Sequence, residues 1–258
     1  MKKYILDLKI SENIRLNENF FLLKVRHQDK LPEIIPGQFA ELRIDDTPTV
    51  MLRRPISINY VDYTKHEIWF LVQVVGDGTR KLANLKENET LNSILPLGNG
   101  FSLPKTNKAK VLAVGGGAGI APLLFLGERL FKEGYEVGFL LGAKQKDALF
   151  QLDLFSQYGK VFITTEDGSL GEKGYVTNHP ILKTQKFDQI YCCGPKPMML
   201  NIAKYAKNNE ISCEVSLENK MACGIGACLC CVEDTHEGNI CVCTEGPVFN
   251  IDRLLWQI

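Results

Sequence analysis

The sequence lacks an excess of charge of either sign, because its 258 residues contain 30 Lys and Arg against 30 Asp and Glu. Without a net positive field the surface does not gather phosphate backbones, so nucleic acid is not expected as a partner. The sequence also lacks a long apolar run. Its longest nearly uncharged stretch, Val111–Gly127, is about 17 residues, and roughly 20 are needed to cross a bilayer. We therefore expect no membrane span.

Cysteine is absent from the first 191 residues, although the chain contains nine cysteines, and six of them fall between Cys223 and Cys243. The amino terminus does not resemble a signal peptide, because Asp7 and Lys9 interrupt its apolar residues. Disulfide frameworks belong mainly to small secreted chains. The sequence therefore predicts a cytoplasmic protein in which clustered cysteines bind metal.

The first part of the chain, residues 1–105, reads as an antiparallel β-barrel domain. Short runs with strand-like alternation are separated by turn signals such as Pro36-Gly37 and Gly76-Asp77-Gly78. The runs are Tyr4–Ile10, Phe20–Val25, Gln38–Ile44, Pro55–Tyr60, Glu67–Val74 and Thr90–Leu95. Several such strands without helical periodicity favour a small barrel.

A polar stretch, Pro104–Lys108, marks the expected boundary to a second domain, residues 106–217. There, apolar strands alternate with helical segments, which predicts an α/β domain built on a parallel sheet. The predicted helices are Ile120–Lys132, Ala148–Gln157, Tyr175–Leu182 and Pro197–Asn208. From Glu218 onward the regular pattern fails, so residues 218–258 are expected to form a metal-ordered segment. The predicted fold is thus α+β and multi-domain.

The cysteine spacing gives the most specific chemical signal. Cys223, Cys228 and Cys231 follow the pattern C-x4-C-x2-C, and further cysteines follow at Cys241 and Cys243. This is the plant-type ferredoxin arrangement for a [2Fe–2S] cluster. Structural zinc is the alternative, but zinc sites more often use paired C-x2-C knuckles or histidines. The spacing leaves Cys241 and Cys243 open as the fourth ligand.

A glycine-rich turn, Gly115–Gly119, follows one predicted strand and opens a helix. Backbone amides at such a position can hold a pyrophosphate, so Gly115, Gly117 and Gly119 are candidates for nicotinamide dinucleotide binding. The match to G-x-G-x-x-G is incomplete, because Ile120 stands where a glycine belongs. Tight packing between helix and strand is the alternative explanation.

The run Arg54-Pro55-Ile56-Ser57 resembles the Arg-x-x-Ser motif of ferredoxin-reductase-type flavoproteins. The resemblance implies that Arg54 pairs with the pyrophosphate of FAD and that Ser57 lies near its isoalloxazine ring. Arginine offers a planar fork that suits phosphate. The resemblance also implies that Leu71, Val72 and Gln73 lie along the flavin and that Gly78 and Thr79 belong to a second phosphate-binding turn.

The same family carries a Cys-Gly-Pro run beside the nicotinamide, which here is Cys193-Gly194-Pro195. The resemblance makes Cys193 the candidate catalytic residue on the hydride path. By strand alternation, Cys192 points the opposite way.

Over nearly its whole length the chain is similar to the electron-transfer subunits of NAD-dependent, type B dihydroorotate dehydrogenase. The most specific segments are Leu52–Ile58, Pro96–Phe101, Met221–Cys228 and Gly246–Phe249. In that family the last cluster ligand lies just before the Gly-Pro-Val-Phe run, which here selects Cys243. The extra cysteines Cys230 and Cys241 depart from the family pattern.

The resemblance implies an oxidoreductase subunit of pyrimidine biosynthesis. A partner subunit oxidises dihydroorotate on its own FMN, and electrons pass through a [2Fe–2S] cluster and FAD to NAD within an expected heterotetramer. The chain itself offers no pyrimidine site, so the partner is required. Two alternatives stay open: a similar NAD(P)H reductase subunit of a hydrogenase or a bifurcating ferredoxin–NADP reductase, and a zinc-bound interaction module with no redox role.

Overall fold

Alternation of apolar and polar residues builds the first sheet of the computed structural model, which describes residues 2–258. In strand β1 (Tyr4–Arg15), Leu8 and Ile10 are completely buried, whereas Asp7 and Lys9 beside them are exposed. Successive side chains of a strand point to opposite faces, so this pattern places one face of β1 on the core.

Seven antiparallel strands form this sheet in the order β4-β3-β7-β1-β2-β6-β5. Their bounds are β1 Tyr4–Arg15, β2 Phe20–Arg26, β3 Phe39–Leu42, β4 Arg54–Ser57, β5 Tyr60–Asp62, β6 Glu67–Gln73 and β7 Thr90–Leu97. The predicted antiparallel β fold is confirmed, as a half-barrel whose end strands are β4 and β5.

A short helix, α1 (Asp77–Ala83), lies where the sequence predicted only a turn. The Thr79 hydroxyl accepts hydrogen bonds from the backbone amides of Val75 and Gly76 at 2.9 and 3.1 Å and donates to the Gly76 carbonyl. These bonds satisfy amides that a helix start otherwise leaves unpaired. The two glycines hid this helix from the sequence pattern.

The second sheet has the order β11-β10-β9-β8-β12-β13-β16 and is parallel except for β16. Its strands are β8 Lys110–Gly116, β9 Glu136–Ala143, β10 Lys160–Thr165, β11 Glu172–Lys173, β12 Gln189–Cys193, β13 Ser212–Ser216 and β16 Val248–Asn250. Its helices are α2 Ala121–Lys132, α3 Leu152–Tyr158, α4 Ile181–Thr184 and α5 Lys196–Asn208. The predicted parallel α/β sheet is confirmed.

The helix predicted over Tyr175–Leu182 is wrong in its extent. The chain forms a short 3-10 turn at Val176–Asn178, and α4 begins only at Ile181. Pro180 explains the break, because a proline disfavours helical backbone in the residue before it, and His179 is extended.

The cysteine-rich segment combines irregular and regular parts. Residues 218–231 contain neither helix nor strand, as expected, but β14 (Val232–Thr235) and β15 (Gly238–Cys241) then pair, followed by the short helix α6 (Val242–Glu245).

The chain divides into two compact units. The first holds the residues up to Gly100 with Asn219–Glu233 and Asn239–Pro247, and the second holds Phe101–Glu218, Asp234–Gly238 and Val248–Ile258. Among residues 2–258, no helix is both long and apolar enough to cross a membrane.

Candidate functional site

The candidate metal centre lies in the first unit, where the four predicted ligand cysteines form two pairs. The backbone amide of Cys228 donates to the Cys223 sulfur at 3.4 Å, and the amide of Cys243 donates to the Cys231 sulfur at 3.3 Å. Side-chain hydrogen bonds also link the thiols within each pair. Two pairs of thiols fit a two-iron core with four cysteine ligands.

The first pair contains a thiol whose surroundings favour the thiolate form. Although desolvation opposes ionisation, amide donation from Ile225 and Cys228 lowers the pKa of the Cys223 thiol to about 6. The thiolate is the form that ligates metal. Amides aimed at sulfur are also the contacts that tune iron–sulfur centres, so this loop suits such a cluster.

The second pair, Cys231 and Cys243, is buried. Burial raises the pKa of the Cys243 thiol to about 12, and the hydrogen bond to Cys231 acts in the same direction. Metal binding must therefore displace the proton of Cys243. Cys241 also reaches Cys231 through a side-chain hydrogen bond, whereas Cys230 is exposed.

Within residues 2–258, no group of three or more His, Cys, Asp or Glu side chains is arranged around a point that holds one metal ion.

The proposed flavin motif forms strand β4 of the same unit. Leu42 of β3 pairs with Arg54, and Phe39 pairs with Ser57. Arg54 lies beside the first turn of α1, because a Cβ placed on Gly78 would lie only 2.6 Å from the Arg54 Nε. The structure thus brings the guanidinium next to the backbone of the second predicted phosphate-binding segment, an arrangement that can hold a diphosphate.

Several other residues of this predicted flavin site have side chains that are buried or already hydrogen-bonded within the chain. The Thr79 hydroxyl is engaged in capping α1, so it is already hydrogen-bonded within the chain. Leu71 and Val72 are almost completely buried in the core, while Gln73 of the same strand is exposed. Pro55 and Ile56, between Arg54 and Ser57, are half-buried.

The predicted nicotinamide residues meet in the second unit. Strand β8 lies next to β12, with Gly115 paired to Cys193, while β9 and β10 lie on one side and β13 on the other. This is the topological switch point of a parallel sheet, where ligands bind at the carboxyl ends of the strands.

The glycines of this turn have different tasks. A Cβ on Gly119 would collide with the carbonyl oxygen of Cys193 and the Cα of Gly194, so glycine is required for the two loops to touch. A Cβ on Gly115 would crowd Ile120 and Leu123, which supports tight packing at that position. Gly117 has a φ of +56° and no atom within 4 Å of its missing Cβ, so it is the glycine open to a ligand.

Cys193 is buried and lies next to two residues that the sequence reasoning missed. Burial raises the pKa of its thiol well above the usual range, the negative charge of Glu218 acts in the same direction, and Ser216 forms a hydrogen bond with it. Cys193 is therefore a neutral thiol rather than a nucleophile. Glu218 follows the end of β13 closely, so its position at a strand's carboxyl end was the available signal.

The remaining cysteines of this sheet are structural. Cys192 of β12 and Cys213 of β13 are both completely buried. Both have pKa values raised by desolvation.

Known proteins are similar both to the cysteine-rich segment and to the chain as a whole. The model of the iron–sulfur cluster binding domain of dihydroorotate dehydrogenase B matches residues 218–255. Among solved structures, the NADH-dependent reduced ferredoxin–NADP oxidoreductase, studied for flavin-based electron bifurcation, superposes with a TM-score of 0.87. It is 29% identical, covering 96% of this chain and 90% of that one. The fold and the paired thiols thus define a reductase-type electron-transfer protein with an iron–sulfur segment.

Curated relatives narrow the class. The dihydroorotate dehydrogenase B (NAD(+)) electron transfer subunit of Fusobacterium nucleatum is 36% identical over 94% of this chain and 95% of its own length. The subunit of the same name from Clostridium acetobutylicum is 40% identical over 96% of both. The chain belongs to the family of dihydroorotate dehydrogenase B electron transfer subunits.

Proposed function

We propose that this chain carries electrons from a dihydroorotate-oxidising partner to NAD in pyrimidine biosynthesis. The partner is an FMN-binding catalytic subunit, and two copies of each chain form a cytoplasmic heterotetramer. The observation that carries the proposal is the pairing of Cys223 with Cys228 and of Cys231 with Cys243 in a chain that matches such subunits over nearly its full length.

In this proposal the three segments divide the work. Residues 1–105 hold FAD, residues 106–217 bind NAD, and residues 218–258 hold a [2Fe–2S] cluster through Cys223, Cys228, Cys231 and Cys243. FAD supplies the exchange between single electrons and the electron pair that hydride transfer needs.

In this proposal, residues of the chain bind and orient FAD and NAD. Arg54 pairs with the FAD pyrophosphate, and the backbone of Gly78 and Thr79 supports it from α1. Ser57 lies near the flavin ring, and Gln73 is the exposed side chain at the end of β6. These positions fit the group, because a cationic fork and free backbone amides are what a diphosphate requires.

For NAD, Gly117 offers the open turn for the pyrophosphate. Gly194 lies against Gly119 and Pro195 lies against Gly116, and the neutral Cys193 thiol is buried at the switch point. A thiol that stays protonated excludes water without reacting with a cationic nicotinamide ring. In this proposal Cys193 lies beside the hydride path, with its thiol hydrogen-bonded to Ser216.

The experiment that tests this function is purification of the native complex followed by assay. We expect an FMN-containing partner to co-purify, and dihydroorotate-dependent reduction of NAD to require both chains. Oxidation of dihydroorotate by this chain alone would contradict the subunit assignment.

A second candidate function rests on one observation, the TM-score of 0.87 to the ferredoxin–NADP oxidoreductase chain. In that case the chain serves a bifurcating complex. The same purification separates the two, since that complex would bring a partner with additional iron–sulfur clusters and no dihydroorotate activity.

A further inference from the structure

Glu41 of strand β3 is a buried carboxylate without hydrogen-bond partners. Its exposed fraction is 0%, and neither carboxylate oxygen forms a hydrogen bond within the described residues. Burying a carboxyl group in this way disfavours its charged form strongly. A residue retained in this condition calls for a physical reason.

The nearest cation does not pair with this carboxylate. The Arg53 guanidinium donates to the backbone carbonyl of Glu41 at 3.2 Å and to Asn92, at both its carbonyl and its side-chain oxygen. These bonds occupy the Arg53 fork, and no salt bridge to Glu41 forms among residues 2–258. Arg53 therefore reduces the cost of the charge without neutralising it by contact.

The Glu41 side chain instead lies against the loop of the proposed iron–sulfur ligands. Gly224 has a φ of +65°, and a Cβ there would lie 2.6 Å from the Glu41 Cγ and 2.8 Å from its Oε1. Only glycine permits both this backbone angle and this approach. Gly224 directly follows the proposed ligand Cys223, so the Glu41 carboxylate packs against the first turn of the ligand loop.

Glu41 and the proposed ligand Cys223 also interact electrostatically. Burial raises the pKa of the Glu41 carboxyl to about 7; Arg53 and Arg54 oppose that rise, and negative charge at Cys223 adds to it. A negative charge on Glu41 therefore interacts unfavourably with negative charge on the Cys223 sulfur.

We propose that Glu41 is a positioning residue for the ligand loop and that its carboxylate lowers the reduction potential of the cluster. This inference rests on the proposed function. Adding an electron to a cluster beside a fixed negative charge is unfavourable, and net charge and burial are established determinants of iron–sulfur potentials.

The size of the effect follows from Coulomb's law. One charge acting over roughly 10 Å at an effective dielectric constant of about 20 changes the equilibrium by about tenfold. For a one-electron couple a tenfold change corresponds to about 59 mV.

The test is an EPR-monitored redox titration of the purified protein with its cluster and FAD, in alkaline buffer, which favours the charged form of the carboxylate. In Glu41→Gln, we expect the cluster potential to rise by a shift corresponding to roughly tenfold, with iron and FAD content unchanged. In Glu41→Asp, which retracts the charge by one methylene, the potential should lie between those of the parent and Glu41→Gln.

Glu67→Gln is the matched control. Glu67 is also a buried carboxylate in the same sheet, but it bonds to Ser11 and to Trp69 and lies on β6 rather than β3. Its replacement removes one charge and should leave the cluster potential at the parent value.

Equal potentials in the parent and Glu41→Gln would overturn the inference, as would equal shifts in Glu41→Gln and Glu67→Gln. If Glu41→Gln assembles no cluster, Glu41→Asp against the parent decides, and an unchanged potential overturns the proposal. A parent protein without iron would overturn the proposed function instead, so the two failures are distinguishable.

Discussion

At the scale of single residues, identical side chains have opposite properties. Amide donation lowers the pKa of Cys223 to about 6, whereas burial raises that of Cys193 far above its usual range. The spacing of the cysteines identified the ligand loop, because C-x4-C-x2-C is a local pattern. The sequence around Glu41 did not show that this residue is buried. All four residues of β3 are buried, so the usual alternation of buried and exposed strand residues fails there.

The fourth ligand can be assigned by replacing one thiol at a time. Cys243→Ser should lose most of the iron, because Cys243 is buried and its own amide donates to Cys231. Cys241→Ser is the matched control and should keep the parent iron content. Iron per chain, measured after anaerobic purification, checks this. Loss of iron in Cys241→Ser but not in Cys243→Ser would reverse the assignment.

Flavin binding can be tested at Arg54. Arg54→Ala should weaken FAD binding by roughly tenfold to a hundredfold, because a hydrogen bond to a charged group contributes about 1.5–3 kcal/mol. Arg80→Ala removes an arginine of α1 that is largely exposed and ion-paired with Asp77, and should retain FAD. Equilibrium FAD titration of the apoprotein measures both. Equal affinity in the two variants would argue against the role of Arg54.

At the scale of elements, the meeting of two loops at the ends of β8 and β12 was predictable, and several helix bounds were not. The glycine turn and the Cys-Gly-Pro run each follow an apolar strand, so a parallel sheet places both at the same edge. Helix α1 was missed because its start depends on the Thr79 hydroxyl rather than on apolar periodicity. The helix predicted around Pro180 was too long. Its apolar pattern continues through His179, where the following proline disfavours helical backbone.

Close contact between these loops predicts the effect of a single methyl group. Gly119→Ala forces a Cβ against the Cys193 carbonyl and Gly194, so the loops must separate. Overpacking of this kind costs about 1–3 kcal/mol, and about 1 kcal/mol lowers the Tm of a protein of this size by roughly 2–4 °C. NAD affinity should fall as well. Thermal unfolding and NAD titration measure the two effects.

Gly76→Ala serves as the control for that substitution. No atom lies within 4 Å of the added Cβ, and Gly76 is extended, a conformation that alanine adopts. Its Tm should match the parent. An equal loss of Tm in both variants would show that contact with Cys193 is not the cause.

At the scale of the whole molecule, the proposed function gives this chain the electron route from iron to nicotinamide, while a partner oxidises the substrate. The isolated chain should therefore reduce an artificial dye with NADH, and should neither oxidise dihydroorotate nor reduce orotate. Removing the cluster through Cys228→Ser should preserve dye reduction but abolish NAD reduction by the assembled complex. Steady-state assays with and without the partner check this. NAD reduction at the parent rate in the Cys228→Ser complex would contradict the proposed route.

The most direct measurement is an anaerobic visible spectrum of the purified chain with iron, zinc and flavin analysis. We expect a coloured protein with one FAD and about two irons per chain and no stoichiometric zinc, the metal content of a four-cysteine [2Fe–2S] site. A colourless protein that contains zinc and neither iron nor flavin would contradict it.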